Sequence, residues 1–250
     1  MLRISDPLPY RALLMIAENL AEVRKRISRA IHKSGREPDS VRLITVSKQV
    51  SVDRIEEAQS AGADVFGENK IQEALPKIET MGVEGISWHF IGHLQKNKVK
   101  FLDERFDLIH SVDSLELAEK ISKHCQSENR VQRVLLQVNV SGEAAKFGME
   151  PGELKKQISD FTSLQGIQVE GLMTIPPFDS NPENSRRHFS RLRELRDECE
   201  KQNELSLHEL SMGMSHDFEV AIEEGATLVR VGTAIFGPRR ATPDGNKSES

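Results

Sequence analysis

A lysine at the predicted end of the first β-strand is the residue of this chain best suited to covalent chemistry. Lys48 follows Val46 and Ser47 directly, at the end of the aliphatic run of residues 41–48. An amine held over an apolar interior is poorly hydrated, so its pKa falls and it can attack a carbonyl carbon. The alternative is a lysine that extends from a strand end into solvent without a chemical role. Lys48 alone does not decide between the two.

Two segments rich in glycine and hydroxyl groups follow later predicted strands. Residues 211–215 (SMGMS) leave a strand, contain Gly213 and open a helix, and residues 230–233 (RVGT) end the next strand with Gly232 and Thr233. Free N–H groups, hydroxyls and a helix dipole together suit a phosphate dianion. Either turn could be structural only. Two such loops at neighbouring strand ends nevertheless favour a phosphate site, because this is where barrels of parallel strands often bind phosphate.

Arg230 is predicted to point into the interior of the fold. Side chains alternate along a strand, so Arg230 shares a face with Leu228 and Gly232 within an otherwise apolar run. A buried guanidinium needs a partner. That partner is either a carboxylate, for which Glu68 and Glu209 are the candidates, or an acceptor on a ligand, such as a ring nitrogen or a phosphate.

Eight short aliphatic or β-branched runs define the predicted architecture. They alternate with longer amphipathic stretches, which is typical of βα units around a parallel sheet. Eight units in roughly 200 residues predict an α/β fold, a single (β/α)8 TIM-type barrel. An open doubly wound sheet is the structural alternative. The predicted strands are residues 41–48, 64–69, 86–92, 107–113, 133–140, 169–175, 208–215 and 227–237.

An additional N-terminal helix precedes the first unit. Apolar residues recur every three or four positions from Leu13 to Ile31, which predicts a helix over about residues 12–32. The amino-acid composition does not change along the chain, and no long linker interrupts it, so we expect one domain over residues 1–237. Residues 238–250 are polar and rich in Pro, Gly and Ser, and we expect a disordered tail there.

Composition and charge exclude several classes of function. Lys and Arg total 34 against 39 Asp and Glu, a net charge of −5 that argues against binding of nucleic acid or anionic lipid. No apolar run approaches the roughly 20 residues of a membrane span. Cys125 and Cys199 lack disulfide or zinc spacing, which favours a reducing cytoplasm.

His89 and His93 have HxxxH spacing, but on a predicted strand and its end, so we expect no metal site. The barrel is expected to be a monomer.

These features together match one cofactor. A Schiff-base lysine, a phosphate cradle and an inward arginine suit the aldehyde, the phosphate and the pyridine nitrogen of pyridoxal 5′-phosphate (PLP). A Schiff-base aldolase acting on a phosphorylated sugar would need the first two features as well, so it remains an alternative.

Seven segments of the chain resemble the pyridoxal-phosphate homeostasis protein family, in the same order, from about Leu20 to Arg239. They are VSKQ (46–49), FGENKIQEA (66–74), WHFIGHLQKNK (88–98), KFGM (146–149), GLMTI (171–175), SMGMSHDFEVAI (211–222) and VRVGTAIFG (229–237). The resemblance implies a barrel similar to the N-terminal domain of alanine racemase. It also implies that PLP is held as an aldimine of Lys48, with Arg230 facing the pyridine nitrogen and Asn69 near the ring. The positions that it implies around the phosphate are Ser211, Gly213, Met214, Ser215, Gly232 and Thr233.

The same resemblance implies a protein of PLP homeostasis that binds PLP without established catalytic turnover. From Lys48, the two glycine segments and the lack of a second base, we expect a carrier that stores PLP and passes it to amines or to PLP-dependent apo-enzymes. The residues agree with this interpretation. Racemisation needs a second base, which in alanine racemases is a tyrosine aided by a separate β-domain, whereas the sole tyrosine here, Tyr10, precedes the predicted first helix. The sequence also ends soon after the eighth predicted strand, so we expect no second domain over the site. The alternative is a PLP-dependent amino-acid racemase with a minimal site.

Overall fold

A closed barrel of eight parallel strands, in the order β1 to β8, forms the centre of the protein. The computed structural model describes residues 8–238. The strands are β1 Arg42–Val46, β2 Val65–Glu68, β3 Ser87–Phe90, β4 Phe106–Val112, β5 Gln132–Gln137, β6 Ile167–Met173, β7 Glu209–Met214 and β8 Leu228–Val231. The predicted (β/α)8 barrel is therefore confirmed, and the open doubly wound sheet is not formed.

Helices surround the barrel and connect its strands. They are α1 Leu8–Lys33, α2 Val52–Ser60, α3 Ile71–Met81, α4 Leu115–Ser127, α5 Pro151–Thr162, α6 Arg186–Asn203, α7 Phe218–Glu223 and α8 Thr233–Phe236, with short 3-10 helices at Lys96–Phe101 and Pro182–Ser185. Within residues 8–238, no helix combines the length and the apolar character that a membrane crossing requires.

The aliphatic runs form strands because both of their faces are buried. One face fills the barrel and the other packs under the helices, as in other parallel sheets. Trp88, Phe66 and Phe90 belong to the outer layer against the helices. The apolar residues that fill the barrel come from six of the eight strands and are Ile44, Val65, Leu108, Leu135, Met173 and Leu228.

The N-terminal helix predicted over residues 12–32 is confirmed, and it begins earlier, at Leu8. Pro9 is compatible with a first helical turn, where no intrahelical N–H is needed. Tyr10, predicted ahead of this helix, lies within it. The helix packs against α2, α7 and α8, and Arg26 pairs with Glu219 of α7 at 2.6 Å. The first helix therefore supports the helices that follow β7 and β8.

The eighth predicted strand was too long. Residues 227–237 were expected to form one strand, but β8 ends at Val231 and residues 233–236 form α8. The N–H groups of Ile235 and Phe236 donate to the Gly232 carbonyl, which begins the helix. Ile235 and Phe236 are apolar because they are buried beside α1, and a short apolar run does not by itself distinguish a strand from a helix. The tail predicted at residues 238–250 lies outside the described residues, except for Pro238.

Candidate functional site

The sequence-predicted residues meet at the carboxyl end of the barrel. Lys48 follows β1, Asn69 follows β2, and the segments with Gly213 and Gly232 belong to β7 and to the end of β8. Strand β8 pairs with β1 on one side, where Arg230 is opposite Ile44, and with β7 on the other, where it is opposite Met214. The four strands form one arc, so their ends surround one part of the barrel mouth.

A tight turn holds Lys48. Strand β1 ends at Val46, and the N–H of Val50 donates to the Ser47 carbonyl at 3.0 Å. Gln49 has a φ of 60°, in the left-handed region that a side chain rarely adopts. Ile44 lies inside the barrel, and alternation along the strand places Val46 on the same face. Lys48 follows two residues after the end of the strand, in the turn at the barrel mouth. Lys48 is half-buried there.

Arg230 is a buried cation whose hydrogen-bond partners are neutral. It is 4% exposed, and its guanidinium donates to Ser211 Oγ at 2.5 Å and to the Thr174 carbonyl at 2.9 Å. Within residues 8–238 it forms no salt bridge. Burial lowers the pKa of Arg230 to about 10, and Asp217 acts in the opposite direction. The interior position predicted for Arg230 is thus observed, and three of its five N–H donors have no hydrogen-bond partner within residues 8–238.

Neither carboxylate considered for Arg230 pairs with it. Glu68 is fully buried and accepts from Ser47 Oγ at 2.6 Å and from Lys77 Nζ at 2.7 Å. Burial raises the pKa of Glu68, which Lys77 partly offsets. Glu209 accepts from the Thr227 hydroxyl instead. Of the two kinds of partner considered for Arg230, a ligand acceptor is therefore favoured over Glu68 and Glu209.

The two glycine segments are joined through Ser215. Its hydroxyl oxygen accepts from the N–H groups of Gly232 at 3.3 Å and Ala234 at 3.4 Å. The Met214 N–H is engaged within its own turn, where it donates to Asp217 Oδ1 at 2.8 Å. Ser215 and the start of α8 are therefore the part of the predicted phosphate cradle where β7 and β8 meet.

Gly213 occupies a position that no other residue fits. Its φ is 88°, and an added Cβ would lie 2.5 Å from Ala221 Cβ and 2.9 Å from Phe218 Cα. We expect Gly213→Ala to lower the free energy of unfolding by about 2–4 kcal/mol, because left-handed strain and overpacking add. Urea denaturation measures the loss. Gly152→Ala is the control, since an added Cβ there meets no atom within 4 Å; equal stabilities of the two variants would contradict the prediction.

Asn69 brings an unsatisfied acceptor to the site. Its Oδ1 atom is buried and has no hydrogen-bond partner within the described part of the chain. The backbone of Asn69 lies so close to Gly92 that a Cβ on Gly92 would be 2.1 Å from the Asn69 carbonyl oxygen. A buried acceptor without a donor is uncommon in a folded protein. Its position after β2 fits a ligand that supplies a donor.

Two histidines singled out in the sequence have hydrogen-bonding roles. His93 lies at the mouth, with Nδ1 3.1 Å from Asp113 Oδ2 and its ring stacked on Phe147. His89 lies inside the barrel, where its Nδ1 atom is 2.9 Å from His110 Nε2. Among residues 8–238, no cluster of three or more His, Cys, Asp or Glu side chains has an arrangement that could hold a metal ion.

Sequence reasoning missed His110 and Thr174, both of which belong to the surroundings of Arg230. His110 Nδ1 lies 2.8 Å from Ser211 Oγ, the atom to which Arg230 donates. The available signal was alternation, since His110 shares the inward face of β4 with Leu108. Thr174 contributes only its backbone carbonyl. Any residue type can make such a contact, so the sequence carries no signal of it.

Comparisons with known proteins place this site in a family context. Residues 16–240 match the family model of the alanine racemase N-terminal domain. The chain is 48% identical over 223 residues to the pyridoxal phosphate homeostasis protein of Aquifex aeolicus, covering 89% of this chain and 98% of that protein. It is 44% identical to the protein of the same name from Pseudomonas aeruginosa, covering 90% of this chain and 96% of that protein.

Two solved structures are also similar to this chain. The chain is similar to PipY of Synechococcus elongatus PCC7942, in a structure with PLP bound, with a TM-score of 0.79, 39% identity and coverage of 89% of this chain and 100% of that one. An alanine racemase of Clostridium difficile 630 has a TM-score of 0.74 at 15% identity, over 96% of this chain and 61% of that one. The racemase shows a shared fold only.

Proposed function

Because the chain belongs to the alanine racemase N-terminal domain family and, within it, to the pyridoxal phosphate homeostasis proteins, we propose that it binds PLP as an aldimine of Lys48. In this proposal the protein holds the cofactor and releases it without catalytic turnover. The curated relatives are named as homeostasis proteins and not as racemases, which supports binding as the function.

The buried Arg230 guanidinium is the observation that carries the proposal. A cation that is 4% exposed, has neutral partners and lies on the strand beside Lys48 calls for an acceptor from outside the chain. The pyridine nitrogen of PLP is such an acceptor. The hydroxyls of Ser215 and Thr233, where β7 and β8 meet, also suit a phosphate, and Asn69 Oδ1, unpartnered within the described residues, fits a ligand hydroxyl that donates a hydrogen bond.

Each residue has a separate task in binding. The amine of Lys48 attacks the aldehyde carbon, and its nitrogen replaces the oxygen, which leaves as water. Ser215, Gly232 and Thr233 bind the phosphate, and Gly213 shapes the β7 segment of this site by allowing its close approach to Ala221 and Phe218 of α7. Ser211 holds Arg230, and Met214 keeps its turn in shape through Asp217.

The positive charge of Arg230 is also a reason to expect no catalytic turnover. A guanidinium beside the pyridine nitrogen keeps that nitrogen unprotonated, and an unprotonated ring withdraws electrons poorly. Carbanion chemistry on a bound amino acid is then slow. Aldimine exchange with an incoming amine needs no such carbanion, so binding and release proceed without it.

We further propose that PLP-dependent apo-enzymes receive the cofactor, and that the protein is a cytoplasmic monomer. Cys125 and Cys199 are free and buried, as suits a reducing compartment. Size-exclusion chromatography tests the monomer, and transfer of PLP to an apo-enzyme in a coupled assay tests delivery.

The decisive experiment is the absorption spectrum of the purified protein, followed by borohydride reduction and peptide mass analysis. We expect an aldimine band, and a reduced PLP adduct on the peptide that contains Lys48. A protein that takes up no PLP, or an adduct confined to other lysines, overturns the proposal. Racemisation of amino acids that depends on Lys48 would instead indicate the racemase, and a Schiff base with a phosphorylated sugar but no PLP adduct would indicate the aldolase.

A further inference from the structure

A chain of hydrogen bonds crosses the barrel interior below Arg230. Arg230 Nη1 lies 2.5 Å from Ser211 Oγ, which lies 2.8 Å from His110 Nδ1. His110 Nε2 lies 2.9 Å from His89 Nδ1, and His89 Nε2 lies 3.1 Å from Ser87 Oγ. The chain thus connects β8, β7, β4 and β3 across the barrel.

This chain occupies positions that are aliphatic elsewhere in the barrel. Six strands contribute apolar side chains to the interior cluster, whereas β3 and β7 contribute His89 and Ser211. His89, His110 and Ser211 are each at most 1% exposed. Burying polar groups is unfavourable unless every group is hydrogen-bonded, and aliphatic side chains would fill the same space without this requirement. Packing alone does not account for the chain.

The direction of every hydrogen bond follows from Arg230. A guanidinium only donates, so Ser211 Oγ accepts from it and has one proton left to give. A hydroxyl oxygen can also accept two bonds, but within residues 8–238 His110 Nδ1 is the only other atom bonded to Ser211 Oγ, so we assign the Ser211 proton to it. Nε2 of His110 then carries the ring proton and donates to His89 Nδ1. By the same reasoning, Nε2 of His89 donates to Ser87. This arrangement gives the Ser211 hydroxyl and both imidazole N–H groups an acceptor.

Both imidazoles are neutral in this arrangement. Burial, His89 and Arg230 hold the pKa of His110 well below its usual value. Burial, Arg42 and Arg133 lower the pKa of His89 to about 3. Neutral rings are what the direction of the bonds requires, since a protonated His110 would have no acceptor nitrogen for Ser211.

We propose that His110 is a positioning residue for Arg230. By accepting the Ser211 proton, it turns the lone pairs of that hydroxyl toward Nη1, and the guanidinium is held between Ser211 and the Thr174 carbonyl. The free donors of Arg230 are then fixed in the geometry that the pyridine nitrogen requires. This inference rests on the proposed function and adds a residue that does not contact the cofactor.

An analogue of PLP in which carbon replaces the ring nitrogen tests the inference. The wild-type protein is expected to bind PLP more tightly than the analogue. In His110→Phe this preference should fall about tenfold, the effect of one weakened hydrogen bond to a charged group. Binding of the analogue should change less than about threefold, since it makes no bond to Arg230 through a ring nitrogen. Spectral titration with both compounds measures the ratio.

Three further variants complete the test. Ser211→Ala removes the link itself and should reduce the preference at least as much as His110→Phe. His110→Asn places an acceptor oxygen near the position of Nδ1 and should restore most of the preference. Ser122→Ala removes a buried hydroxyl that bonds to Gly166 outside the barrel interior, and it should leave the ratio unchanged.

The outcomes separate this inference from the proposed function. Equal weakening of PLP and the analogue in His110→Phe, or an unchanged ratio, overturns the positioning role. If His110→Phe does not fold, Ser211→Ala and His110→Asn decide the question by the same ratio. A wild type that binds both compounds equally, through Lys48, contradicts the inference and the contact of Arg230 with the pyridine nitrogen, but leaves the aldimine of Lys48 in place. A wild type that binds neither contradicts the inference and the proposed function together.

Discussion

Lys48→Ala is expected to abolish the borohydride-stable adduct with PLP and to weaken PLP binding by about 100-fold or more. The variant keeps Arg230 and the glycine segments, so it should still bind PLP weakly without the covalent bond. Spectral titration measures the affinity, and mass spectrometry after borohydride reduction measures the adduct. The fold should be unaffected, because Lys48 lies in a turn beyond the end of β1.

Two variants control for charge and for lysine in general. Lys48→Arg keeps the positive charge but cannot form an aldimine, so it should lose the adduct as Lys48→Ala does. Lys96→Ala removes an amine that is 44% exposed and lies beyond β3 at the same end of the barrel, and it should bind PLP as the wild type does. An undiminished adduct in Lys48→Ala would show that another amine is responsible.

Lys77→Met is expected to lower the free energy of unfolding by about 3–5 kcal/mol at pH 8. Lys77 lies on α3, and its amine is bonded to Glu68 and, at 2.8 Å, to the Ser47 carbonyl. Without it, the fully buried Glu68 carboxylate keeps only the Ser47 hydroxyl, and its second oxygen already has no partner within the described residues. Urea denaturation at several pH values measures the effect.

The pH dependence distinguishes this cause from lost packing. Burial raises the pKa of Glu68 above its ordinary value of 4.5, and loss of Lys77 raises it further. Between the ordinary pKa of Glu68 and its raised pKa in the folded protein, the folded state binds more protons than the unfolded state. The free energy of unfolding therefore falls as the pH rises through this window. The loss in Lys77→Met should therefore be smaller at pH 5 than at pH 8.

A double variant provides the matched control for this prediction. Lys77→Met with Glu68→Gln removes both charges, so it should regain most of the lost stability and show no added pH dependence between 5 and 8. An equal loss in Lys77→Met at every pH, or a double variant as unstable as the single one, would show that the ion pair is not the cause.

Local sequence patterns predict those features of the structure that depend on one strand alone. The eight strands follow from hydrophobic runs, and the inward position of Arg230 follows from its alternation with Leu228. The boundary between β8 and α8 was not predictable, because Ile235 and Phe236 are buried and apolar in either structure. Such a boundary depends on what the segment packs against, which a local pattern does not contain.

Contacts between distant strands are the other part that sequence patterns leave open. His110 and Ser211 are 101 positions apart, and only closure of the barrel brings them together. For Glu68, alternation along β2 is enough to exclude Arg230 as its partner. Glu68 shares the outward face of β2 with Phe66, so it faces α3 and Lys77 rather than the interior and Arg230.

The packing of α1 against α7 and α8 has a consequence for biosynthesis. Arg26 and Glu219 are 193 positions apart, so α1 leaves the ribosome long before the helices that cover it are made. The apolar side of α1, with Ile16, Leu20 and Val23, can pack against α2 early but lacks α7 and α8 until those helices have been made. During that interval, nascent chains of this protein present a target for chaperones.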